Sequence, residues 1–552
     1  MPGQSPRSRP AAAGVASTVA GVVAVLVTAC GPAAPSSDGA TSPRADVAFG
    51  ATTPEAAGQL EEAIWLTTKE PTSLDLDSDG ANSHSARIMS NVCERLLQVQ
   101  PDLSPQPHLA ESYEWATPTT LVFQLRQDVV FHSGNPMTAD DVVWSLRRHA
   151  ADGASESDEY VNVETITKTG PYEVTIGLTQ PDAVFVQALA GDAGIVLDRT
   201  VVEEQGDDYG TPSGTDACSG PFRLDSWRSG QEIVITKADD YWNPERAAKT
   251  GQVTFRWMSD DALVNSLTTG EATGSYLENI SLAATLAEEG LTVSQGPDTR
   301  VWSLMVTERG GLEDVRLRRA LSLAIDREGI NTAGFSGLGQ PWKEPVGSGA
   351  WSYETDAFED AYDQIEDAPA SPSDEDIAEA TRLVEEAAPT QPVVVASDGT
   401  PIRNAIANAV VAAGQQIGLP TEIEQVSVAE YSEYYANPEA RASVDMFADD
   451  YFVSKFDPVG FYKNGASDSS VQWLLADDDY DALVSQGRAT LDDAERADVA
   501  IEMAARWAEA KPWISLVASP STVAMSPEVT GVPSSGSYFY YPWAADLGSV
   551  EG

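Results

Sequence analysis

The fold is decided by the stretch Leu121-Val122-Phe123-Gln124-Leu125-Arg126, which continues through Phe131-His132-Ser133-Gly134-Asn135-Pro136-Met137 to Thr138-Ala139-Asp140-Asp141-Val142-Val143-Trp144-Ser145-Leu146. Leu121, Phe123 and Leu125 recur with a period of two, which predicts a half-buried strand. Thr138 and Asp141 have the spacing of a capping box, which predicts that a helix begins there and runs through the apolar residues that follow. The stretch therefore indicates a strand, a turn and a helix in succession.

His132 lies in the predicted turn and has two interpretations. It can be a turn residue whose ring is satisfied by hydrogen bonds close by, or it can contact a ligand. We predict the first, with Phe131 and Leu146 in the core and Gly134 in the turn itself.

The rest of the chain alternates between short apolar runs and longer amphipathic ones, with no short internal repeat. The short runs predict strands over 63–67, 222–227, 232–237, 393–395 and 514–517. The longer ones predict helices over 83–97, 374–388, 402–416 and 491–510, and Asp314 is predicted to cap another helix. This alternation over several hundred residues predicts an α/β protein.

The charge of the chain is extreme, with 85 acidic residues against 33 basic ones and a formal net charge of −52. Such a charge repels phosphates, and no basic stripe with interleaved aromatic residues is present, so we predict that the protein binds no nucleic acid. We interpret the acidity as a solvated surface suited to a salty exterior. The alternative is an electric field that attracts cationic ligands.

The N-terminus has the pattern of a secretory signal. Arg7 and Arg9 precede an apolar stretch over 11–29, which ends in Val27-Thr28-Ala29-Cys30 and resembles a bacterial lipobox. We predict a signal peptide over 1–29, and a lipidated Cys30 with a flexible tether over 30–60. The alternative is a transmembrane helix, since the run is close to the ~20 residues that a bilayer requires. The predicted location is the extracellular face of the bacterial cell membrane, with the lipid as the only anchor.

This compartment affects the interpretation of the cysteines, because thiols outside the cytoplasm tend to pair. With Cys30 lipidated, Cys93 and Cys218 remain, and we predict one disulfide between them. In the chain-entropy description, closing a loop of this length stabilises a protein by roughly 4–5 kcal/mol. The alternative is two buried free thiols.

Common catalytic signatures are missing from the sequence. None of His84, His108, His132 and His149 is followed by Glu, so there is no His-Glu-x-x-His zinc site. There is also no Gly-x-Ser-x-Gly elbow, no phosphate-binding Gly-Lys-Ser/Thr loop and no Gly-x-Gly-x-x-Gly after a strand. We therefore predict a protein that is not an enzyme and has no cofactor and no metal site.

One run of acidic residues resembles half of a calcium loop. Residues 75–80 read Asp-Leu-Asp-Ser-Asp-Gly, with oxygen ligands at alternate positions and a glycine for the sharp turn. The twelfth position, where a bidentate Glu is expected, is Ala86. The run is equally explained as a turn that leads into the helix predicted from Ser83, and calcium binding stays the alternative.

Four stretches together resemble the bacterial extracellular solute-binding proteins of family 5, which serve ABC importers of peptides, nickel and some oligosaccharides. The opening stretch is similar to that family's strand, Phe-His-x-Gly turn and helix. The others are 219–224 with Tyr241-Trp242-Asn243, then 312–327, then Phe456-Asp457-Pro458 with the aromatic residues after it. They occur in the family's order and at its spacing, so the resemblance covers about residues 61–530.

The resemblance implies a two-lobed, hinged periplasmic-binding-protein-like α/β fold, with an extra subdomain on the first lobe. The first lobe would comprise 61–98, 217–306 and 516–552. The extra subdomain would be 99–216, and the second lobe 307–515. On this map the two cysteines predicted to pair lie near the junction of the first lobe and its subdomain.

The resemblance also implies where the ligand binds. In peptide-binding members, an aspartate shortly before the Asp-Pro turn pairs with the α-amino group of the peptide, and a nearby Trp lines the pocket. Alignment on Asp457 without gaps puts Ser454 at the aspartate, Tyr451 at the Trp and Phe452 beside it. The sequence departs from the peptide pattern here, so amine recognition must come from elsewhere, with Asp450 and Asp449 as nearby substitutes, or the ligand lacks a free amine. Ordinary packing of Tyr451 and Phe452 is the alternative.

The function implied is that of the extracellular substrate-binding component of an ABC transporter. It would capture a peptide-like solute between its lobes as a monomer and deliver it to the permease subunits. An oligosaccharide ligand is the alternative within the same family, and a secreted hydrolase or a sensor or adhesin without transport are alternatives outside it.

Overall fold

The strand, turn and helix predicted from the opening stretch are present in the computed structural model, which describes residues 47–78, 83–451, 453 and 455–552. The strand is Thr120–Leu125 and the helix is Ala139–His149. The capping box is confirmed, since the backbone N–H of Thr138 donates to the Asp141 carboxylate at 2.9 Å and the Thr138 hydroxyl accepts from the first turn. Local hydrogen bonding therefore sets the start of this helix.

The described residues form strands that range from two to eight residues. These strands are β1 Ala48–Phe49, β2 Leu60–Thr67, β3 Leu97–Val99, β4 Pro105–Pro107, β5 Ala110–Thr117, β6 Thr120–Leu125, β7 Val163–Gly170, β8 Glu173–Leu178, β9 Phe222–Arg228, β10 Glu232–Lys237, β11 Thr250–Trp257, β12 Gly274–Tyr276, β13 Thr292–Gly296, β14 Val301–Val306, β15 Gln340–Pro341, β16 Val393–Ser397, β17 Thr421–Gln425, β18 Met446–Tyr451, β19 Trp513–Ala518, β20 Ser521–Met525, β21 Val529–Thr530 and β22 Gly548–Ser549.

The α-helices of the described residues lie between these strands. They are α1 Ser83–Met89, α2 Ala139–His149, α3 Ala183–Ala188, α4 Arg199–Gln205, α5 Asp260–Thr268, α6 Leu282–Glu288, α7 Val315–Ala324, α8 Arg327–Phe335, α9 Thr355–Asp363, α10 Asp374–Ala387, α11 Pro401–Ile417, α12 Val428–Tyr431, α13 Pro438–Arg441, α14 Pro458–Tyr462, α15 Asp478–Ala489, α16 Asp493–Ala510 and α17 Trp543–Asp546. The predicted cap Asp314 is the N-cap of α7.

The described residues form three larger sheets and two two-stranded ones, β3-β4 and β21-β22. An eight-stranded sheet has the order β1-β13-β20-β12-β2-β11-β10-β9, and a six-stranded sheet has the order β15-β19-β14-β18-β16-β17. A four-stranded antiparallel sheet, β5-β6-β8-β7, is formed by the segment between β4 and β9. Both large sheets mix parallel and antiparallel pairs. The fold is therefore a mixed α/β fold with two lobes.

The chain passes between the two large sheets at two adjacent places. Residues 297–300 connect β13 to β14, and residues 519–520 connect β19 to β20. Because β13 pairs with β20 and β14 pairs with β19, these connections lie side by side, and the N–H of Ser519 donates to the carbonyl of Arg300 at 3.1 Å. Two short connections that lie side by side and run in opposite directions form a hinge.

One predicted helix is wrong in its length. The helix predicted over 83–97 ends at Met89, and Leu97 begins β3. The backbone between them bonds to distant segments instead, since the carbonyls of Asn91 and Val92 accept from Phe222 and Gly220. These tertiary hydrogen bonds override the local helical pattern.

The lobe boundaries that the resemblance implies stay a prediction. The sheets give limits a few residues away from the predicted ones, because β14, which begins at Val301, and β19, which ends at Ala518, both belong wholly to the six-stranded sheet. The predicted signal peptide, Cys30 and most of the tether lie outside the described residues. Among the helices that the structure describes, none is both long and apolar enough to cross a bilayer.

Candidate ligand-binding site

A cavity of about 270 Å³ lies among segments that are far apart in the sequence. Its described lining residues come from the start of α1, the loop before β7, the residues around α14 and the C-terminal segment. They are Leu76, Ser83, Ala86, Ser155, Glu156, Asp158, Glu159, Asp192, Tyr451, Val453, Lys455, Gly460, Lys463, Asn464, Phe539 and Tyr540. On the predicted lobe boundaries, these residues belong to both lobes and to the extra subdomain.

The Asp-Pro turn positions one wall of the cavity. Asp457 is the N-cap of α14, where its carboxylate accepts from the N–H of Val459 at 2.8 Å, and Pro458 takes the first helical position. The same carboxylate accepts from Arg496 Nε at 2.9 Å. A helix start fixed in this way holds the flanking residues Lys455 and Lys463 in the wall of the cavity.

The opposite wall is formed by residues 155–159, which lie just before β7. A 3₁₀ turn over Ser157–Tyr160 is anchored by Tyr160, whose hydroxyl donates to the carbonyl of Ala193 at 2.5 Å. The ring of Tyr160 packs edge-on against Phe185 at 5.2 Å between centroids. This anchored turn presents Glu156 and Glu159 to the cavity.

Ion pairs join the two walls. Glu159 Oε1 accepts from Lys455 Nζ at 2.6 Å and from Lys463 Nζ at 2.7 Å. Lys463 also lies 3.2 Å from the carboxylate of Asp158, and Lys455 lies 3.9 Å from that of Glu156. We name these five residues, Glu156, Asp158, Glu159, Lys455 and Lys463, the cavity charge cluster.

The two glutamates of the cavity charge cluster have pKa values shifted in opposite directions. Burial raises the pKa of Glu156 to about 7; Lys455 opposes this shift, and neighbouring carboxylates add to it. Burial also acts to raise the pKa of Glu159, but Lys455 and Lys463 outweigh it and lower the pKa to about 2. Glu159 is therefore ionised at neutral pH, whereas Glu156 is divided between its two forms.

The residues predicted for the site have different outcomes. Tyr451, the last residue of β18, lines the cavity. Asp450 is not among the described lining residues, since successive side chains of a strand point to opposite faces. Burial and the charge of Asp449 raise the pKa of Asp450 to about 7, against Arg300 and Arg403. Phe452 and Ser454 lie outside the described residues.

The cavity charge cluster was missed by reasoning from the sequence. Carboxylates occur throughout this acidic chain. The residue types of Glu156, Asp158 and Glu159 therefore did not mark them as members of a binding site. The one available signal was Lys455, a base two residues before the Asp-Pro turn in a chain that has 33 bases among 552 residues.

The two cysteines predicted to pair are brought together in the structure. Cys93 and Cys218 are joined by a disulfide, with their Cα atoms 4.7 Å apart, across a separation of 125 residues in sequence. Both are buried. Mass spectrometry of the unreduced protein, which distinguishes this bond from two free thiols by 2 Da, tests the prediction in solution.

The half calcium loop has cationic partners in the structure. Asp75 accepts from Arg148 Nη1 at 2.9 Å, and Asp77 accepts from His149 Nδ1 at 2.6 Å. Burial lowers the pKa of His149, but the charge of Asp77 outweighs it and raises the pKa. No group of three or more potential metal ligands occurs in the part of the chain that the structure describes, and residues 79–80 of the loop lie outside it.

His132 is a turn residue held by hydrogen bonds. Its Nδ1 donates to Asp216 at 2.5 Å, and its Nε2 donates to the carbonyl of Gly220 at 2.8 Å. It is not among the described residues that line the cavity. The ring therefore ties the turn of the opening stretch to the segment just before β9.

Two α/β lobes, a double-stranded hinge and a cavity between distant segments define the class of two-lobed solute-binding proteins. Residues 104–473 match the family model described as "Bacterial extracellular solute-binding proteins, family 5 Middle". The chain belongs to this family of solute-binding proteins.

Two relatives illustrate the similarity in sequence. The probable D,D-dipeptide-binding periplasmic protein DdpA of Escherichia coli K12 is 25% identical over 428 residues, which are 74% of this chain and 78% of that protein. The glutathione-binding protein GsiB of Shigella flexneri is 28% identical over 272 residues, which are 48% of this chain and 52% of that protein.

Solved structures share the fold at lower identity. The ABC transporter substrate-binding protein CtaP of Listeria monocytogenes superposes with a TM-score of 0.77 at 19% identity, over 89% of this chain and 100% of that one. DppA of Helicobacter pylori in complex with the peptide STSA gives a TM-score of 0.72 at 18% identity, over 90% of this chain and 99% of that one. At these identities the likeness shows the fold alone.

Proposed function

We propose that this protein captures a peptide-like solute between its two lobes and delivers it, chemically unchanged, to the permease subunits of an ABC importer. The observation that carries the proposal is the cavity between distant segments, whose lining has charged groups of both signs. A peptide offers an ammonium group, a carboxylate and hydrogen-bonding amides in one small molecule. The relatives named for dipeptide and glutathione binding support this class of ligand.

Closure around the solute follows from the position of the cavity. A ligand in the cavity touches both walls only when they are close together, so it favours the closed arrangement by its extra contacts there. The proposed subdomain is 99–216, and the two lobes are proposed to meet at the hinge residues 297–300 and 519–520, which places all of β14 and β19 in the second lobe.

An oligosaccharide ligand is the second candidate, and the aromatic lining residues favour it. Tyr451, Phe539 and Tyr540 present rings on which sugars could stack. The same lining carries the four carboxylates of Glu156, Asp158, Glu159 and Asp192. Their desolvation around a neutral sugar is costly, so we favour a charged ligand.

The proposed setting is the extracellular face of a bacterial membrane. Cleavage before Cys30 and lipidation of its thiol would tether a monomeric binding domain there. The family as a whole consists of solute-binding proteins, and we propose that this member likewise makes and breaks no bond in its solute.

A thermal-shift screen tests the ligand class. The mature protein is heated with trialanine, glutathione or cellotriose, since a ligand at 100 times its dissociation constant stabilises the folded state by about 2.7 kcal/mol. Stabilisation by a peptide, with the peptide recovered intact, supports the proposal. Stabilisation by cellotriose and by neither peptide would replace it with the oligosaccharide function, and a hydrolysed peptide would contradict the absence of catalysis.

A further inference from the structure

The wall formed by residues 155–159 contains a buried carboxylate with one unpaired oxygen. Glu159 is fully buried and lines the cavity. Its Oε1 accepts from Lys455 and Lys463, but its Oε2 has no hydrogen-bond partner among the described residues. Buried polar atoms in folded proteins nearly always have partners, so this oxygen stands out as an acceptor without a donor in the described part of the chain.

Glu156 lies beside Glu159 and is open to the cavity. Its side chain is 18% exposed, and Lys455 Nζ, at 3.9 Å, is beyond hydrogen-bond distance. Lys455 is already engaged by Glu159 at 2.6 Å. The carboxylate of Glu156 is therefore accessible to a donor that enters from the cavity.

The charges of the lining point to a cationic donor. Four carboxylates and two lysines line the described part of the cavity. Asp192 is paired with Arg95 at 2.6 Å, which leaves three carboxylates to two lysines. A primary ammonium group would bring the missing positive charge together with three N–H donors.

We propose that Glu156 is the specificity-determining residue that binds a primary ammonium group of the solute, so that the ligand class is peptides or related molecules with a free amine. This inference rests on the proposed function and assigns amine recognition to the wall opposite the Asp-Pro turn. Glu159 acts as a positioning residue, because it holds both lysines of that turn.

This assignment accounts for the departure of the sequence from the pattern of peptide-binding members. Alignment on the Asp-Pro turn puts a serine, Ser454, at the position of the amine-binding aspartate. A carboxylate on residues 155–159 meets the same chemical need from the wall that faces Lys455 and Lys463. The raised pKa of Glu156, about 7, results from burial and the neighbouring carboxylates, which Lys455 does not offset.

Calorimetric titration of four probes tests the inference. Trialanine has both an amine and peptide bonds, N-acetyltrialanine has peptide bonds alone, putrescine has amines alone, and cellotriose has neither. We expect trialanine to bind the wild-type mature protein at least tenfold more tightly than N-acetyltrialanine does. Glu156→Gln should weaken trialanine binding at least tenfold and leave the affinity for N-acetyltrialanine unchanged.

The outcomes separate this inference from the proposed function. Equal binding of trialanine and its acetylated form, or full binding of trialanine by Glu156→Gln, would overturn the inference and leave peptide capture intact. Binding of putrescine without either peptide would support the inference and overturn peptide capture. Binding of cellotriose alone, or of no amine-bearing probe, would overturn the inference.

A matched control variant guards against a general effect of charge. Glu164→Gln removes the same charge from an exposed position of β7, eight residues further along. It should bind trialanine as the wild type does. Equal melting temperatures of the two variants would show that Glu156→Gln has folded, so that a loss of affinity is attributable to the cavity.

Discussion

Two sets of ion pairs join the proposed subdomain, 99–216, to the second lobe. They differ in how many of their charged atoms have hydrogen-bond partners. Asp182 accepts from Arg488 Nε at 3.0 Å and Nη2 at 2.6 Å, from Asn162 at 2.7 Å and from the N–H of Phe185 at 3.2 Å. We name Asp182 and Arg488 the closed pair. Both of its side chains are buried.

The cavity charge cluster also pairs buried carboxylates with cationic side chains, but some of its carboxylate oxygens lack a hydrogen-bond partner among the described residues. One oxygen of Glu159 is unpaired among the described residues, and Glu156 has its nearest lysine nitrogen at 3.9 Å. A buried charge with all its partners holds structure, whereas one that lacks a partner is prepared to receive a ligand. The comparison therefore separates the contacts that hold these two parts of the chain together from those that recognise a solute.

The largest effect is expected when the closed pair is broken. Arg488→Met keeps the apolar stem and leaves the Asp182 carboxylate buried without its cation, so the free energy of unfolding should fall by roughly 3–5 kcal/mol. Urea denaturation measures this loss. Arg199→Met, which removes an arginine from the exposed pair with Glu203, is the control and should change little. Similar small losses in both variants would contradict the structural role of the closed pair.

A smaller loss of stability is expected when one lysine of the cavity charge cluster is replaced. Lys463→Met still leaves Lys455 on Glu159, so unfolding should cost roughly 1–2 kcal/mol less than in the wild type. The same denaturation experiment measures it. A loss equal to that of Arg488→Met would show that the cluster is as structural as the closed pair, and the distinction between the two would fail.

Much of the fold followed from local patterns in the sequence. The capping box at Thr138 and the strands predicted over 222–227 and 232–237 depend on residues close to one another in the chain, and each is confirmed. The helix predicted over 83–97 ends early because Asn91 and Val92 bond to residues more than a hundred positions away. Local signals predict local structure, and they lose to tertiary hydrogen bonds where the two conflict.

The candidate site was less accessible to sequence reasoning. Tyr451 was reached through the resemblance to a family whose Asp-Pro turn is in this chain. The cavity charge cluster could not be reached, because Lys463 and Glu159 are 304 residues apart in sequence and meet only in the folded chain. In so acidic a sequence, only such a contact distinguishes one glutamate from the next.

The affinity for an amine should depend on pH through the ionisation of Glu156, which belongs to the cavity charge cluster and not to the closed pair. The pKa of Glu156 is raised to about 7 by burial, and its charge is faced by Lys455, Asp192, Glu159 and Asp158. An ammonium group binds the ionised form, so trialanine affinity should rise between pH 5 and pH 7, by up to about tenfold per pH unit; above this range the amine of trialanine itself loses its proton, with a pKa of about 8. Calorimetry across this range measures it, and Glu156→Gln should flatten the profile. A profile that is flat in the wild type would remove Glu156 from amine recognition.

The smallest effect is expected for the stability of Glu156→Gln itself. A carboxyl group whose pKa is raised on folding is destabilising once it ionises, so its stabilising contribution is lost as pH rises from 4.5 towards about 7. Replacing it with Gln should leave the free energy of unfolding at pH 8 unchanged or raise it by up to about 1 kcal/mol. If urea denaturation showed that Glu156→Gln clearly lowers the free energy of unfolding, Glu156 would have a structural role like that of the closed pair.

Small-angle X-ray scattering of the mature protein with and without saturating trialanine tests the central claim that two lobes close around a solute. The hinge at 297–300 and 519–520 allows the lobes to approach, and a ligand that contacts both walls favours that approach. The account predicts that the radius of gyration falls as trialanine binds. A radius of gyration that stays unchanged while calorimetry shows trialanine bound would contradict it.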